Sequence, residues 1–150
     1  MSGAEIYLIA TLISAGVTYS QGQEKKKLRK EQARNTLIKG RVEAVTSKEE
    51  GNRVLSQVNK QISATVAKAG AGNADPNKSG ESSDIVNNYT LRAGMNDYSI
   101  TRSNADLAIK MSQSEAQSLI RAGNMEARNA TFTAIAQVGM GVYGYNALGG

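Results

Sequence analysis

The chain has no cysteine, no histidine and no tryptophan, and only one proline and one phenylalanine among its 150 residues. Without cysteine there are no disulfides, no thiolate nucleophile and no thiolate metal site. Without histidine, imidazole metal ligation, Ser-His catalysis and the usual near-neutral proton shuttle are excluded as well. The missing cysteines say nothing about compartment, because both reducing and oxidising environments allow their absence. Aromatic residues make up 5% of the chain. Aromatic side chains carry much of the burial of a conventional core, so stability must come from many small helix–helix contacts or from partners.

What the chain does have points to helix. Ala, Gln, Lys, Arg and Glu are abundant, and a single proline (Pro76) leaves long stretches free of breaks. Val, Ile and Thr show no sustained alternation, so strands have little support. The expected fold is all-α, with elongated long helices arranged as a helical hairpin or bundle around a flexible Gly/Pro/Ser loop and assembling as an oligomer. Three segments follow: an N-terminal apolar stretch plus basic helix over 1–69, a flexible loop over 70–84, and a C-terminal long helix with a charge-free tail over 85–150.

Charge is localised. The net charge is +5. Eight basic and two acidic residues fall between Glu24 and Arg41, a segment of +6, so the remainder sums to −1. The core of this block is Lys25, Lys26, Lys27, Arg29, Lys30 and Arg34. It reads as a contact for phosphate, either DNA backbone or anionic lipid headgroups, or as a solvated helix face. No aromatic lies between Gln21 and Asn88, so stacking on single-stranded bases is unsupported there.

Ahead of the basic block stands an apolar stretch, Ile6–Tyr19, with Ile6, Leu8, Ile9, Leu12, Ile13 and Val17 as its large members. A secretory signal carries positive charge before its apolar core; here Glu5 precedes the core and the lysines follow it, so a signal is not expected. The stretch is short of the roughly 20 residues a span requires and is diluted by Thr11, Ser14, Gly16 and Thr18. It reads as a helix that needs company, from lipid or from copies of itself. Gln21-Gly22-Gln23 is an expected hinge. After Arg128 no charged side chain occurs. In this tail Phe132, Ile135, Val138 and Val142 are candidate assembly or membrane contacts, among small residues that allow close helix approach.

Further helical signals lie between. Ile38, Val42, Val45, Leu55, Val58, Ile62, Val66 and Ala69 form a one-sided stripe. Thr46/Glu49 and Ser47/Glu50 have capping-box spacing, so a helix either restarts there or runs through with a weak point at Gly51. Residues 67–84 collect Gly, Asn, Asp, Ser and Pro and read as a loop, with Ser83 or Asp84 capping the next helix. Tyr89, Ile100, Met111 and Ala122 stand eleven apart, a spacing that keeps one helix face. The string Gly139-Met140-Gly141-Val142-Tyr143-Gly144 matches G-x-G-x-x-G but lacks the strand, helix and acidic residue that a dinucleotide site needs. It reads as a flexible or closely packed tail. Glu49 and Glu50, and the scattered Asp97, Asp106, Glu115 and Glu126, read as solvated faces. No catalytic, cofactor-binding or metal-ligating residue is expected.

The order of features is that of a small-residue apolar N-terminus, then "QGQEKKKLRKEQAR", then an Ala/Gly/Ser-rich middle. A helix follows that reads "YTLRAGMNDYSITRSNADLAIKMSQSEAQSLIRAGNMEARNATFTAIAQVGMGVYG". This order resembles the small internal virion proteins of short-tailed bacteriophages, the inner-core or DNA-ejection proteins. The resemblance implies a non-enzymatic homo-oligomer housed in the virion interior, in contact with the portal and other ejection proteins. It implies passage through the tail into the host cell envelope and a part in a channel for the genome, with genomic DNA and host membrane lipid as further contacts. Two rivals remain open on the residues alone: a holin-like small membrane protein, and a basic helical DNA-packing or scaffold protein.

Overall fold

The computed structural model describes residues 3–71 and 82–149. It is all-helical. Helix α1 spans Gly3–Ala71 and helix α2 spans Ser82–Ala147, and the two pack against each other as an antiparallel hairpin. The chain divides into two compact units, one of 1–37 with 113–150 and the other of 38–112.

In the first unit, Tyr7 lies against Gly144, Thr11 against Gly141, and Gly22 against Ala127 and Ala130. In the second, Gly40 lies against Ser112, Gly51 against Tyr98 and Thr101, and Val58 against Gly94. The buried positions of α1 are Ala4, Ala15, Gly22, Ala33, Gly40, Ala44, Gly51 and Val58; those of α2 are Gly94, Ala105, Ser112, Ala116, Gly123, Ala127, Ala134 and Gly141. All but Val58 are Ala, Gly or Ser. Side chains this small let two helix backbones come close, and the seam gains its stability from many short-range dispersion contacts in place of a few large buried groups.

The seam has a period that its composition conceals. Ala4, Gly22, Gly40 and Val58 stand 18 residues apart, as do Ala105, Gly123 and Gly141. Eighteen residues make about five turns at 3.6 residues per turn, so these positions fall on one side of each helix. Two hydroxyls inside the seam are satisfied locally, whereas Asn87 Oδ1 is buried with no hydrogen-bond partner among the described residues. The Thr11 and Ser112 hydroxyls donate to the carbonyls of Leu8 and Ile109 at 2.8 and 2.9 Å, which removes the cost of burying an unpaired hydroxyl.

Several expectations need correction. Gly22 is not a hinge: it is a buried residue in the middle of α1, where the absence of a side chain admits Ala130. No helix restarts at 46–50. Thr46 is mid-helix and its hydroxyl donates to the Val42 carbonyl at 3.0 Å, while Gly51 is buried against α2. Residues 67–71 continue α1 instead of opening a loop; 72–81, with Pro76, lie outside the described residues. Ser83 and Asp84 fall inside α2, whose backbone begins at Ser82. Asp84 occupies the first turn, where negative charge meets the positive end of the helix dipole, and accepts a bond from Asn88 Nδ2 at 3.2 Å. The C-terminal tail is helical to Ala147, and its glycines at 141 and 144 are contact points with α1. Gly149, with φ of +81°, lies just beyond the helix end.

The apolar stripes also resolve into faces. Val58 is buried, and Leu55 and Ile62 are half-buried, whereas Ile38, Val42 and Val45 point to solvent. Tyr89, Ile100 and Met111 do share one side of α2, but it is the exposed side.

Candidate functional site

Five basic residues in six positions cannot share one side of a helix that turns about 100° per residue, and the structure distributes them. Arg29 faces α2 and is occupied by the hairpin itself. Its Nη2 donates to Glu126 Oε1 at 3.0 Å and its Nε to the same oxygen at 3.3 Å, while Nη1 reaches Gln32 Oε1 at 3.2 Å. Lys26 is half-buried at the edge of the seam, and Lys25 points to the far flank. Lys27, Lys30 and Arg34, at steps of three and four, share an exposed flank, and no ion pair holds them among the described residues. They form one flank free to meet an anion, with exposed Lys25 on the other.

The hairpin adds a residue that the sequence block did not include. Lys26 and Gln23 of α1 line a shallow groove together with Asn124, Arg128, Thr131 and Phe132 of α2. Arg128 thereby joins Lys26 from 102 positions away. Arg121, two turns earlier on α2 and exposed, extends that row. The only sequence signal for these two is their seven-residue spacing, which places them on one face of a helix but does not say which part of α1 that face adjoins.

The two apolar ends come together. Tyr7 and Thr11 lie against Gly144 and Gly141, so the N-terminal stretch and the charge-free tail form one end of the first unit. Leu8 and Val138 are half-buried, while Ile6, Ile9, Leu12, Ile13, Val17, Phe132, Ile135 and Val142 are exposed. Tyr19, Thr131, Ala134, Ile135 and Val138 frame an apolar groove. A bond from Thr18 Oγ1 to Gln137 Oε1 at 3.2 Å ties the two helices beside it.

Among the described residues no helix is long and apolar enough to cross a membrane, and no cluster of three acidic side chains is placed to hold a metal ion. The G-x-G-x-x-G string is helical throughout, with no strand before it. The arrangement offers a basic flank for phosphate contact and apolar surface for association. Comparisons with protein-family models, with curated proteins and with solved structures find no match to this chain.

Proposed function

We propose that this chain is a structural internal virion protein of a phage, a subunit of the portal-associated core and DNA-ejection apparatus that helps form a channel for the genome across the host envelope. The observation that carries the assembly part of this reading is an inversion of the usual hairpin. Small residues fill the intramolecular seam, and the large apolar side chains face outward. Outward apolar surface in such quantity marks an interaction surface. The virion part of the reading rests on the resemblance of the sequence to internal virion proteins.

The seam also suits a subunit that must unfold for passage through a tail. No disulfide locks it, and almost all of its buried side chains are small, so opening it exposes little apolar area per residue. The flank of Lys27, Lys30 and Arg34 supplies non-specific, salt-dependent contact with nucleic acid or anionic headgroups. Mass spectrometry of purified virions tests the proposal. The protein is expected in full particles and depleted from particles that have ejected their genome. Its absence from full particles would overturn the reading and leave the holin-like and DNA-packing alternatives, which predict partition into the inner membrane and salt-sensitive DNA binding respectively.

A further inference from the structure

Helix α2 carries a second apolar row on the side away from α1. Tyr89, Leu107, Met125 and Tyr143 recur every 18 residues, with Ile100 and Phe132 between them. Leu107 stands two residues after the buried Ala105, about 200° around the helix. The row is open to solvent: Tyr89 is 75% exposed, Phe132 71% and Tyr143 78%. It keeps the period of the buried seam and is present in each of the two units.

The charges nearest this row are sorted by sign; Asp106, about 100° around on the basic side, is the exception. Arg92 follows Tyr89 by three residues and Lys110 follows Leu107 by three, which sets both about 60° to one side of the row. Asp97 follows Tyr89 by eight and Glu115 follows Leu107 by eight, which sets both about 80° to the other side. All four side chains are exposed, and none has an ion-pair partner among the described residues.

We infer that this row is the interface for a second copy of the chain, with the two α2 helices parallel and in register. The charges select the direction. When two identical helices meet through one face, a parallel pair sets the left flank of each against the right flank of the other; an antiparallel pair sets like flanks together. Parallel pairing therefore places Arg92 and Lys110 opposite the partner copy's acidic row, on both edges of a two-fold interface. Antiparallel pairing would set basic row against basic row. The register follows as well. Arg92 precedes Asp97 by five residues and Lys110 precedes Glu115 by five, the offset at which flanking charges meet across an in-register parallel pair. Asn96, Ser114 and Ser118 interrupt the apolar row and Arg121 lies about 40° from its axis; of these, Asn96 is the kind of polar core residue that fixes register in such pairs. This inference stands on the geometry of α2 and does not depend on the virion reading.

Because the chain has no cysteine, single-cysteine variants of the full-length protein report the arrangement directly. Leu107→Cys and Met125→Cys are each expected to cross-link to themselves at least about tenfold faster than Ser56→Cys, an exposed control on the outer side of α1, since pairing raises effective concentration. An antiparallel pair allows this at no more than one of the two positions. Arg92→Glu with Lys110→Glu, and separately Asp97→Lys with Glu115→Lys, are expected to weaken self-association about tenfold in sedimentation. Mixing the two charge variants is expected to restore pairing as heterodimers, a result that loss of folding does not produce. Cross-linking no faster than the control overturns the inference, and so does self-association unchanged by either charge variant. Binding of uncharged phosphatidylcholine vesicles by a monomeric chain also overturns it and assigns the row to lipid.

Discussion

Gly22 of α1 lies so close to Ala130 of α2 that a Cβ on residue 22 would overlap the Ala130 methyl group, with the Ala127 backbone 3.6 Å away. The obstacle is a Cβ atom, which moves only if the α2 backbone moves. A helical glycine ordinarily costs about 1 kcal/mol relative to alanine. At this position close approach of the two helices offsets that cost. Gly22→Leu is therefore expected to destabilise the hairpin by about 1–3 kcal/mol through overpacking. Gly16→Ala and Gly139→Ala, where a Cβ meets nothing within 4 Å, are expected to stabilise it by about 0.5–1 kcal/mol each. Thermal unfolding followed by circular dichroism separates the two classes by the sign of the change in Tm.

Val58 and Gly94 form a complementary pair in the second unit. Val58 is the one buried seam residue larger than Ala or Ser, and a Cβ on Gly94 would occupy the place of its Cγ2. Val58→Ala removes two methyl groups and is expected to cost about 1.5–2 kcal/mol. Gly94→Ala alone forces valine aside. The double variant Val58→Ala with Gly94→Ala is expected to be more stable than the sum of the single changes by at least about 0.5 kcal/mol, the mark of neighbours that share a space. Urea unfolding of the four proteins closes the cycle; strict additivity would show that the two side chains do not compete.

The basic block divides into a structural member and exposed members. Arg29 and Glu126 are 37% and 33% exposed, so their ion pair is worth no more than about 1 kcal/mol, and less in high salt. Arg29→Gln is expected to lower stability by that small amount and to leave anion binding nearly unchanged. Replacing Lys27, Lys30 and Arg34 with Gln is expected to leave stability unchanged and to reduce the salt dependence of binding to duplex DNA. The slope of log affinity against log salt should fall by about 2.7 if all three meet phosphates. Fluorescence anisotropy over a salt series measures it, and an unchanged slope would remove this flank from phosphate contact.

Helix was written in the composition and spacing, and so were the basic block and the two apolar ends. The seam was hidden because its residues are those a hydropathy reading discounts. Gly22, Gly40 and Gly51 look like breaks in isolation, and Ala33, Ala44 and Ser112 look like filler. The bulky apolar residues Ile38, Val42, Tyr89 and Met111, which hydropathy marks as core, are all exposed. With bulk as the measure of burial, the hairpin reads inside out.

The sequence by itself determined that the chain is helical, that its positive charge is concentrated, and that cysteine and histidine chemistry is excluded, because these follow from residue identity and local propensity. Only the tertiary structure decided which of two 18-residue stripes became the seam, that Gly22 is a contact and not a hinge, that Arg29 serves Glu126, and that Arg128 lies beside Lys26. Each of these depends on where the second helix lies. In a hairpin of small residues, position is set by how closely two backbones can approach, and a single helix carries no record of that distance.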